Sequence, residues 1–399
     1  MMHRKTVRLA ALLMALCLSL SLLTACSNQE DPAPSDVEIK DPEPTPAPTP
    51  DPEPAPAPQP EPAPEPAPTP DPEPAPVEDP FVAEGNVNPL TGLCDGISDQ
   101  ALTQRPIAVM VNNMKAALPQ WGIGQADIIY EMLAEGRITR FLAIYQDYSK
   151  INKLASIRSA RPYFIDIAQS YGAVFIHFGG SVPAYEAIDS RSDLVHIDGI
   201  KSNWEGTVFF RDQWRRETMG LEHSVFTTGE YLRKGMDRLT NSGENLQQTE
   251  HPSAFTFGEG WSQNSAVEGE SASKVTVTFS SSHKPYFQYD EASQKYLRFQ
   301  YGKPQMDGIT DEQLAVDNVL VIRMVTKDLP SELHLIDIDT TNQGEGFFFT
   351  TGKYVPITWQ KDSYNGEIVY RTLDGEELVA SRGTTFVSVV TTTADIIIE

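Results

Sequence analysis

Two arginines stand just before a predicted helix and strand in the first half of the chain. Arg158 and Arg161 precede a helix that the sequence predicts to begin at Pro162, and a buried strand at 173–178 follows with His177 in it. Guanidinium groups bind phosphate and carboxylate, and the N-terminal end of a helix also favours anions. This stretch is therefore a candidate anion-binding site.

A Gly-Gly-Ser turn closes the stretch, after a strand and before a second helix that starts with proline. Open α/β sheets bind ligands at such positions, although ordinary turn chemistry explains the glycines equally well. The candidate ligand-binding residues are Arg140, Arg158, Ser159, Arg161, His177, Gly179, Gly180 and Ser181. The alternative is that the arginines form internal ion pairs with carboxylates close in sequence, namely Asp127, Glu131, Glu135 and Asp166.

The sequence predicts no catalytic residue. A nucleophile hypothesis would use Ser159 or Ser181 with His177 and Asp198, but no Gly-x-Ser-x-Gly turn frames either serine. A histidine within a buried strand is more often a hydrogen-bonded core residue than a catalyst. The alternative function kept open is a cell-envelope hydrolase or transferase in which His177 or His223 is the general base.

Charge and motif content exclude several classes of partner. The 399 residues carry a net charge of −24, which disfavours nucleic acid because phosphate must be neutralised by Lys and Arg. The histidines lack the spacing of zinc sites, no loop carries a calcium-type oxygen ladder, and no phosphate- or dinucleotide-binding glycine motif is present. We therefore expect neither a metal nor a cofactor.

The N-terminus predicts export and lipidation. A basic start is followed by an apolar core from Leu9 to Leu23 that is too short for a membrane-spanning helix. Leu23-Thr24-Ala25-Cys26 resembles a bacterial lipobox, in which Cys26 becomes the lipidated first residue. An ordinary signal peptide with a chance cysteine is the alternative. Lipidation would anchor the protein to the cell membrane, facing outside the cytoplasm.

An acidic proline-rich tract follows, with proline at every second position from Pro42 to Pro76. Such a chain favours an extended, disordered stalk, and the 36 residues from Asp41 to Pro76 would span roughly 110 Å if stiff. We predict a signal with its lipidated cysteine at 1–26, the stalk at 27–85, an N-terminal α/β part at 86–245 and a C-terminal β-rich part at 246–399.

Hydrophobic patterns predict an α+β fold of layered sheets with helices on one side. Strands alternate with helices in the first half, whereas the second half is mainly antiparallel, with a hairpin expected around Thr351-Gly352. Cys94 remains as a lone cysteine and is expected to be a small packed side chain.

Several long motifs resemble the YerB-like lipoproteins. They are NPLTGL at 88–93, RPIAVMVNN at 105–113, QADIIYEMLAEGRITRFLAIYQ at 125–146, SIRSARPYF at 156–164, VFIHFGGS at 174–181 and HLIDIDTTNQGEGFFFTTGKYVPITWQKD at 334–362. The resemblance runs from Asn88 to Val390 and departs from the family pattern at Phe386, where tryptophan is expected. It implies an α+β fold in two parts of unknown function and brings no established reaction.

Together these features predict a lipid-anchored extracytoplasmic protein that binds a cell-envelope partner. The partner would be an anionic cell-wall component, a glycan or an envelope protein, and the candidate arginine residues would form its binding cleft.

Overall fold

The computed structural model describes residues 85–94, 96–248, 250, 255–258 and 269–399. The predicted lipidation site Cys26 and the proline tract lie outside the described residues. The described residues all belong to one unit, which includes both predicted parts.

Five α-helices lie within the described residues, all in the first half. They are α1 Asp99–Leu102, α2 Pro162–Ser170, α3 Val182–Ser190, α4 Gln213–Thr218 and α5 Gly229–Asn241. Their ends follow local chemistry: Pro162 opens α2, and the hydroxyls of Ser181 and Thr228 cap α3 and α5.

Eight of the described strands belong to the first half. They are β1 Ile107–Asn112, β2 Ile128–Leu133, β3 Thr139–Tyr145, β4 Leu154–Ala155, β5 Val174–His177, β6 His196–Asp198, β7 Phe210–Arg211 and β8 Val225–Thr227. The long members β1, β2 and β3 are buried along their whole length, which explains why they read as continuous apolar runs rather than alternating ones.

Sixteen described strands form the second half, where helices are absent from the described residues. They are β9 Thr256–Phe257, β10 Glu270–Ser271, β11 Lys274–Val277, β12 Tyr286–Asp290, β13 Lys295–Gln300, β14 Lys303–Pro304, β15 Ala315–Val316, β16 Asn318–Met324, β17 Thr326–Asp328, β18 Ile336–Ile338, β19 Gln343–Thr350, β20 Lys353–Gln360, β21 Val369–Thr372, β22 Val379–Ala380, β23 Thr385–Thr391 and β24 Ile396–Ile398.

A central sheet of eleven described strands extends through both halves. Its order is β10-β20-β19-β16-β23-β2-β3-β1-β5-β6, and β21 also pairs with β20. Strand β23 lies between β2 and β16 and runs parallel to both, with Ile128 and Asn318 each facing Thr385. The two halves therefore share one sheet, although local pattern indicated an antiparallel second half.

A second sheet holds most of the remaining strands of the second half, in the order β14-β13-β12-β11-β24 with β15 beside β13. The predicted hairpin of β19 and β20 belongs to the central sheet, and its turn contains Gly352 with φ +75°. The predicted α+β class is confirmed by this combination of sheets and few helices.

Candidate anion-binding site

The arginine loop and the Gly-Gly-Ser turn lie side by side at one edge of the central sheet. Strands β1 and β5 are parallel, so their carboxyl ends meet at the same edge. The amide of Arg158 donates to the Met110 carbonyl at 2.9 Å, and the amide of Ala160 donates to the Gly179 carbonyl at 2.8 Å. The fold therefore brings the predicted residues of both segments together.

Two helices begin at this place. Helix α2 has Arg161 at its N-cap position, and no side chain caps it. Helix α3 is capped by Ser181, whose Oγ accepts a hydrogen bond from the Ala184 amide at 3.3 Å. Helix N-termini carry partial positive charge, so both helices add to the positive potential at this edge.

Arg140 and Arg161 share a single carboxylate, that of Glu135. Arg161 Nη2 lies 2.6 Å from Glu135 Oε2, while Arg140 contacts Oε1 of the same group and donates through Nη1 to the Ser159 carbonyl at 2.8 Å. Both guanidinium groups are buried, and Glu135 is half-buried. Two positive charges thus face one negative charge in a poorly hydrated place.

The pKa values of these groups reflect this imbalance. Burial, then the neighbouring Arg161, lowers the pKa of Arg140 to about 9. Burial alone would raise the pKa of Glu135, but Arg140 and Arg161 outweigh it and lower the pKa below its ordinary value. Two guanidinium groups and one carboxylate leave a surplus positive charge at the site.

Arg158 is the most exposed of the three candidate arginines, Arg140, Arg158 and Arg161. Its side chain is 16% exposed, and its Nη1 donates to the Glu222 carbonyl at 2.8 Å. Its ion pair with the Glu222 carboxylate is long, at 3.4 Å, and that carboxylate is largely exposed. Solvent screens the Glu222 side of this ion pair, so the pair contributes little to stability.

The remaining turn residues shape this surface. Ser159 Oγ donates to the Phe178 carbonyl at 3.1 Å. Gly179 has φ +79°, a left-handed backbone conformation that residues with a Cβ rarely adopt, which explains why glycine occupies this turn. Gly180 and Ser181 are half-buried beside Ala160, whose carbonyl accepts a hydrogen bond from the Ser181 amide at 3.3 Å.

His177 lies under the site and is fully buried. Its Nδ1 is 2.8 Å from the Gly179 carbonyl, so Nδ1 donates there, and its Nε2 is 3.0 Å from Nδ1 of His196. Burial lowers the pKa of His177 to about 4, although the negative charge of Asp198 acts to raise that pKa. The side chain is therefore neutral and fixes the turn from below.

The other histidine considered as a general base, His223, is also buried. Its Nδ1 is 3.0 Å from the side-chain amide nitrogen of Asn112, Nδ2, and burial lowers the pKa of His223. The second ring nitrogen of His223, Nε2, lies 3.4 Å from Oε1 of Glu222, so each ring nitrogen of His177 and His223 faces a polar partner.

The carboxylates considered as internal partners differ in whether they contact the candidate arginines. Glu135 pairs with two of the candidate arginines, whereas Asp166 pairs with Arg191 at 2.6 Å and accepts a hydrogen bond from Thr340. Glu131 does not contact the candidate arginines in any described hydrogen bond or ion pair and instead pairs with the second half of the chain.

Sequence reasoning missed this last cluster. Glu131 on β2 accepts hydrogen bonds from Arg298 Nη2 at 2.5 Å, His283 Nε2 at 2.8 Å, Asn113 Nδ2 at 2.8 Å and Thr139 Oγ1 at 2.7 Å. The guanidinium of Arg298 also lies against Phe386, 4.9 Å from the ring centre. The one signal in the sequence is a glutamate inside an apolar strand, which must have a buried partner.

Within the part of the chain that the structure describes, no three His, Cys, Asp or Glu side chains are grouped so as to hold a metal ion. Over the same residues, no helix has the length and apolar character needed to cross a membrane.

The fold and site define an α+β protein with a buried arginine cluster at the edge of a shared sheet. Two family models match the chain: the N-terminal domain of a protein of unknown function (DUF3048) over residues 90–242, and its C-terminal domain over residues 275–387. The chain therefore belongs to this family.

A curated relative and a solved structure agree with this assignment. The chain is 30% identical over 312 residues to "Putative lipoprotein YerB" of Bacillus subtilis (strain 168), covering 76% of this chain and 85% of the relative. It is similar to the crystal structure of YerB protein from Bacillus subtilis, with a TM-score of 0.66 and 28% identity, covering 78% of this chain and all of the other. The resemblance to YerB-like proteins is confirmed.

Proposed function

We propose that this protein is a lipoprotein anchored in the cell membrane by Cys26, and that its folded part binds an anionic component of the cell envelope outside the cytoplasm. The lipobox-like sequence, the acidic proline-rich stalk and the name of the Bacillus subtilis relative support the anchor. The stalk would hold the folded part away from the membrane surface.

One observation carries the binding proposal. Two buried guanidinium groups share the single carboxylate of Glu135, and a third, Arg158, stands at the surface with a weak partner. Buried charges are normally paired one to one, because each unpaired charge costs several kcal/mol of desolvation. An external anion would balance the surplus charge of this cluster.

The chemistry favours phosphate or carboxylate as the ligand group. A guanidinium presents N–H donors in a planar fork that fits the oxygens of either group. The uncapped N-terminus of α2 adds partial positive charge at the same place. In a chain with a net charge of −24, a local positive site also distinguishes this edge from the surrounding surface.

A binding role fits the site better than hydrolysis does. A general base must reach the substrate proton within hydrogen-bond distance, directly or through one water. His177 is enclosed by the turn and by His196, and His223 is hydrogen-bonded to Asn112.

Replacement of Arg158 by alanine tests the binding site. We expect it to weaken binding of poly(glycerol phosphate) or of polyglutamate at least tenfold, because a charge-assisted hydrogen bond contributes roughly 1.5–3 kcal/mol. The measurement is calorimetric titration of the full chain in detergent with each polymer, which also shows whether phosphate or carboxylate is preferred.

Arg137→Ala is the matched control. Arg137 is an exposed arginine whose ion pair with Asp328, at 3.2 Å, is also exposed. Both variants remove one positive charge from the surface, so general electrostatic attraction would weaken equally in both. Equal losses, or no binding of either polymer by the unaltered protein, would count against the proposed site.

Replacement of Cys26 by alanine tests the anchor separately. We expect fatty-acid labelling to disappear and the protein to leave the membrane fraction, because the thiol is the predicted site of acylation. Cys94→Ala, which removes the other cysteine outside the signal, should keep full labelling. Labelling that persists in Cys26→Ala would refute the lipobox assignment.

A further inference from the structure

Trp214, on α4, is 52% exposed, whereas the other tryptophans that the structure describes, Trp121, Trp204 and Trp359, are buried. We propose that Trp214, with Gln213 and Glu217 beside it, forms a second binding site, which takes a glycan by stacking a sugar ring on the indole. This proposal does not depend on the ligand proposed for the arginine cluster.

The exposed indole is held in place from behind. Trp214 stacks on Trp121 with ring centres 6.2 Å apart and an angle of 18° between the planes. Trp121 is in turn contacted by Lys153 Nζ, 4.4 Å from its ring centre, and by the Arg215 guanidinium, 4.7 Å away. A ring fixed in this way loses little conformational freedom when it binds a ligand.

The helix that carries Trp214 is held in place by a capping residue and by a buried arginine. Helix α4 has six residues, too few to be stable alone. Asp212 caps it by accepting the Arg215 amide at 2.9 Å. The fully buried Arg215 side chain donates to the carbonyls of His223 at 2.8 Å, Pro119 at 2.9 Å and Ala117 at 2.7 Å.

Polar groups flank the ring on the same helix. Gln213 Nε2 donates to Glu217 Oε1 at 2.9 Å, and Glu217 lies three residues after Trp214, on the adjoining helix face. An apolar ring face next to a carboxylate and an amide matches a sugar, which has an apolar C–H face and hydroxyl groups at its edges. These side chains can accept and donate to those hydroxyls.

The size of the surface favours a glycan over a protein. A tryptophan buries at most about 250 Å² on complete burial, and a stable protein interface needs about 800 Å² from each partner. The rest of α4 is polar, with exposed Arg216 and Glu217, and the exposed Leu221 that follows the helix adds one further apolar side chain. One exposed ring with a charged surround suits one or two sugar residues.

Calorimetric titration with neutral hexasaccharides tests this proposal without involving the arginine cluster. The probes are the β-1,4-linked hexamers of N-acetylglucosamine and of glucose, added to the full chain in detergent. We expect at least one to bind, Trp214→Ala to weaken that binding at least tenfold, and Trp214→Phe to retain it within threefold. Arg137→Ala, which removes an exposed arginine that belongs to neither proposed site, should bind the same hexamer unchanged.

Leu221→Ala is the matched control, because Leu221 is 53% exposed, lies next to α4 in the chain and has no ring. It should bind as the unaltered protein does. Absence of binding to both hexamers, unchanged binding in Trp214→Ala, or equal loss in Leu221→Ala would overturn the proposal. Thermal unfolding of each variant verifies that it is folded, and Trp214→Phe provides a folded comparison if the alanine variant is unstable.

Discussion

Replacing Glu131 by glutamine is expected to lower the free energy of unfolding by roughly 3–5 kcal/mol, which is the usual result of removing one partner of a buried ion pair. Glutamine keeps the shape of the side chain but leaves the Arg298 guanidinium, fully buried, without a counter-charge. His283 also loses its charged acceptor. Urea denaturation followed by circular dichroism measures the loss.

Glu230→Gln is the control for this substitution. Glu230 forms an exposed ion pair with Lys234 at 2.7 Å, one helical turn away, so its removal should leave the free energy of unfolding nearly unchanged. A loss below 1 kcal/mol for Glu131→Gln would show that the cluster around Arg298 contributes little to stability.

The same carboxylate makes the free energy of unfolding depend on pH in the acid range. Burial alone would raise the pKa of Glu131, but Arg298 and His283, with hydrogen bonds from His283 and Thr139, lower it to about 2. A depressed pKa in the folded state stabilises the protein above the ordinary pKa of 4.5, and this stabilisation disappears as the pH falls toward 2. Over that interval the unaltered protein should lose roughly 3 kcal/mol more than Glu131→Gln.

Arg215→Ala is expected to cost roughly 3 kcal/mol or more. The substitution leaves three carbonyl groups without their buried donor and empties the space beside Trp121. Because Arg215 joins α4 to the body of the fold, we expect the tryptophan fluorescence of the Trp121–Trp214 stack to change as well. Urea denaturation and emission spectra at native conditions measure the two effects.

The next residue along the helix provides the control. Arg216 has the same charge but is exposed, so Arg216→Ala should alter stability by no more than about 0.5 kcal/mol and leave the emission spectrum as it was. If Arg215→Ala and Arg216→Ala behaved alike, the three carbonyl contacts would not be what fixes α4.

Elements with local signals were predictable from the sequence. Pro162 marks the start of α2, and Gly172, with φ +59°, lies just beyond its end. The hairpin of β19 and β20 was equally predictable, because a turn residue and the neighbouring hydrophobic pattern suffice to indicate it.

Pairings between distant residues were not predictable. Glu131 and Arg298 are 167 residues apart, and no sequence feature near either residue indicates that the other is its partner. The parallel pairing of β23 with β2 escaped for the same reason, because a strand pattern reports which face is buried but not which neighbour it has.

The candidate site was likewise predictable from the sequence only in part. The grouping of Arg158, Ser159 and the Gly-Gly-Ser turn followed from the order of strand, turn and helix. The burial of His177 was also predictable, because it lies in an apolar strand. The sharing of Glu135 by Arg140 and Arg161 was not predictable, because it depends on how separate segments pack together. Trp214 was not singled out, since exposure of a tryptophan on a six-residue helix has no signature in the sequence.

The position of β23 has a consequence for biogenesis. This strand, the last long one to be synthesised, occupies the gap between β2 and β16, and it covers hydrogen-bonding edges on both. An emerging chain therefore cannot complete its first half ahead of its second, as independent domains do during synthesis. The sheet closes only after β23 has been synthesised, and until then the facing edges of β2 and β16 remain open to wrong pairing with other strands.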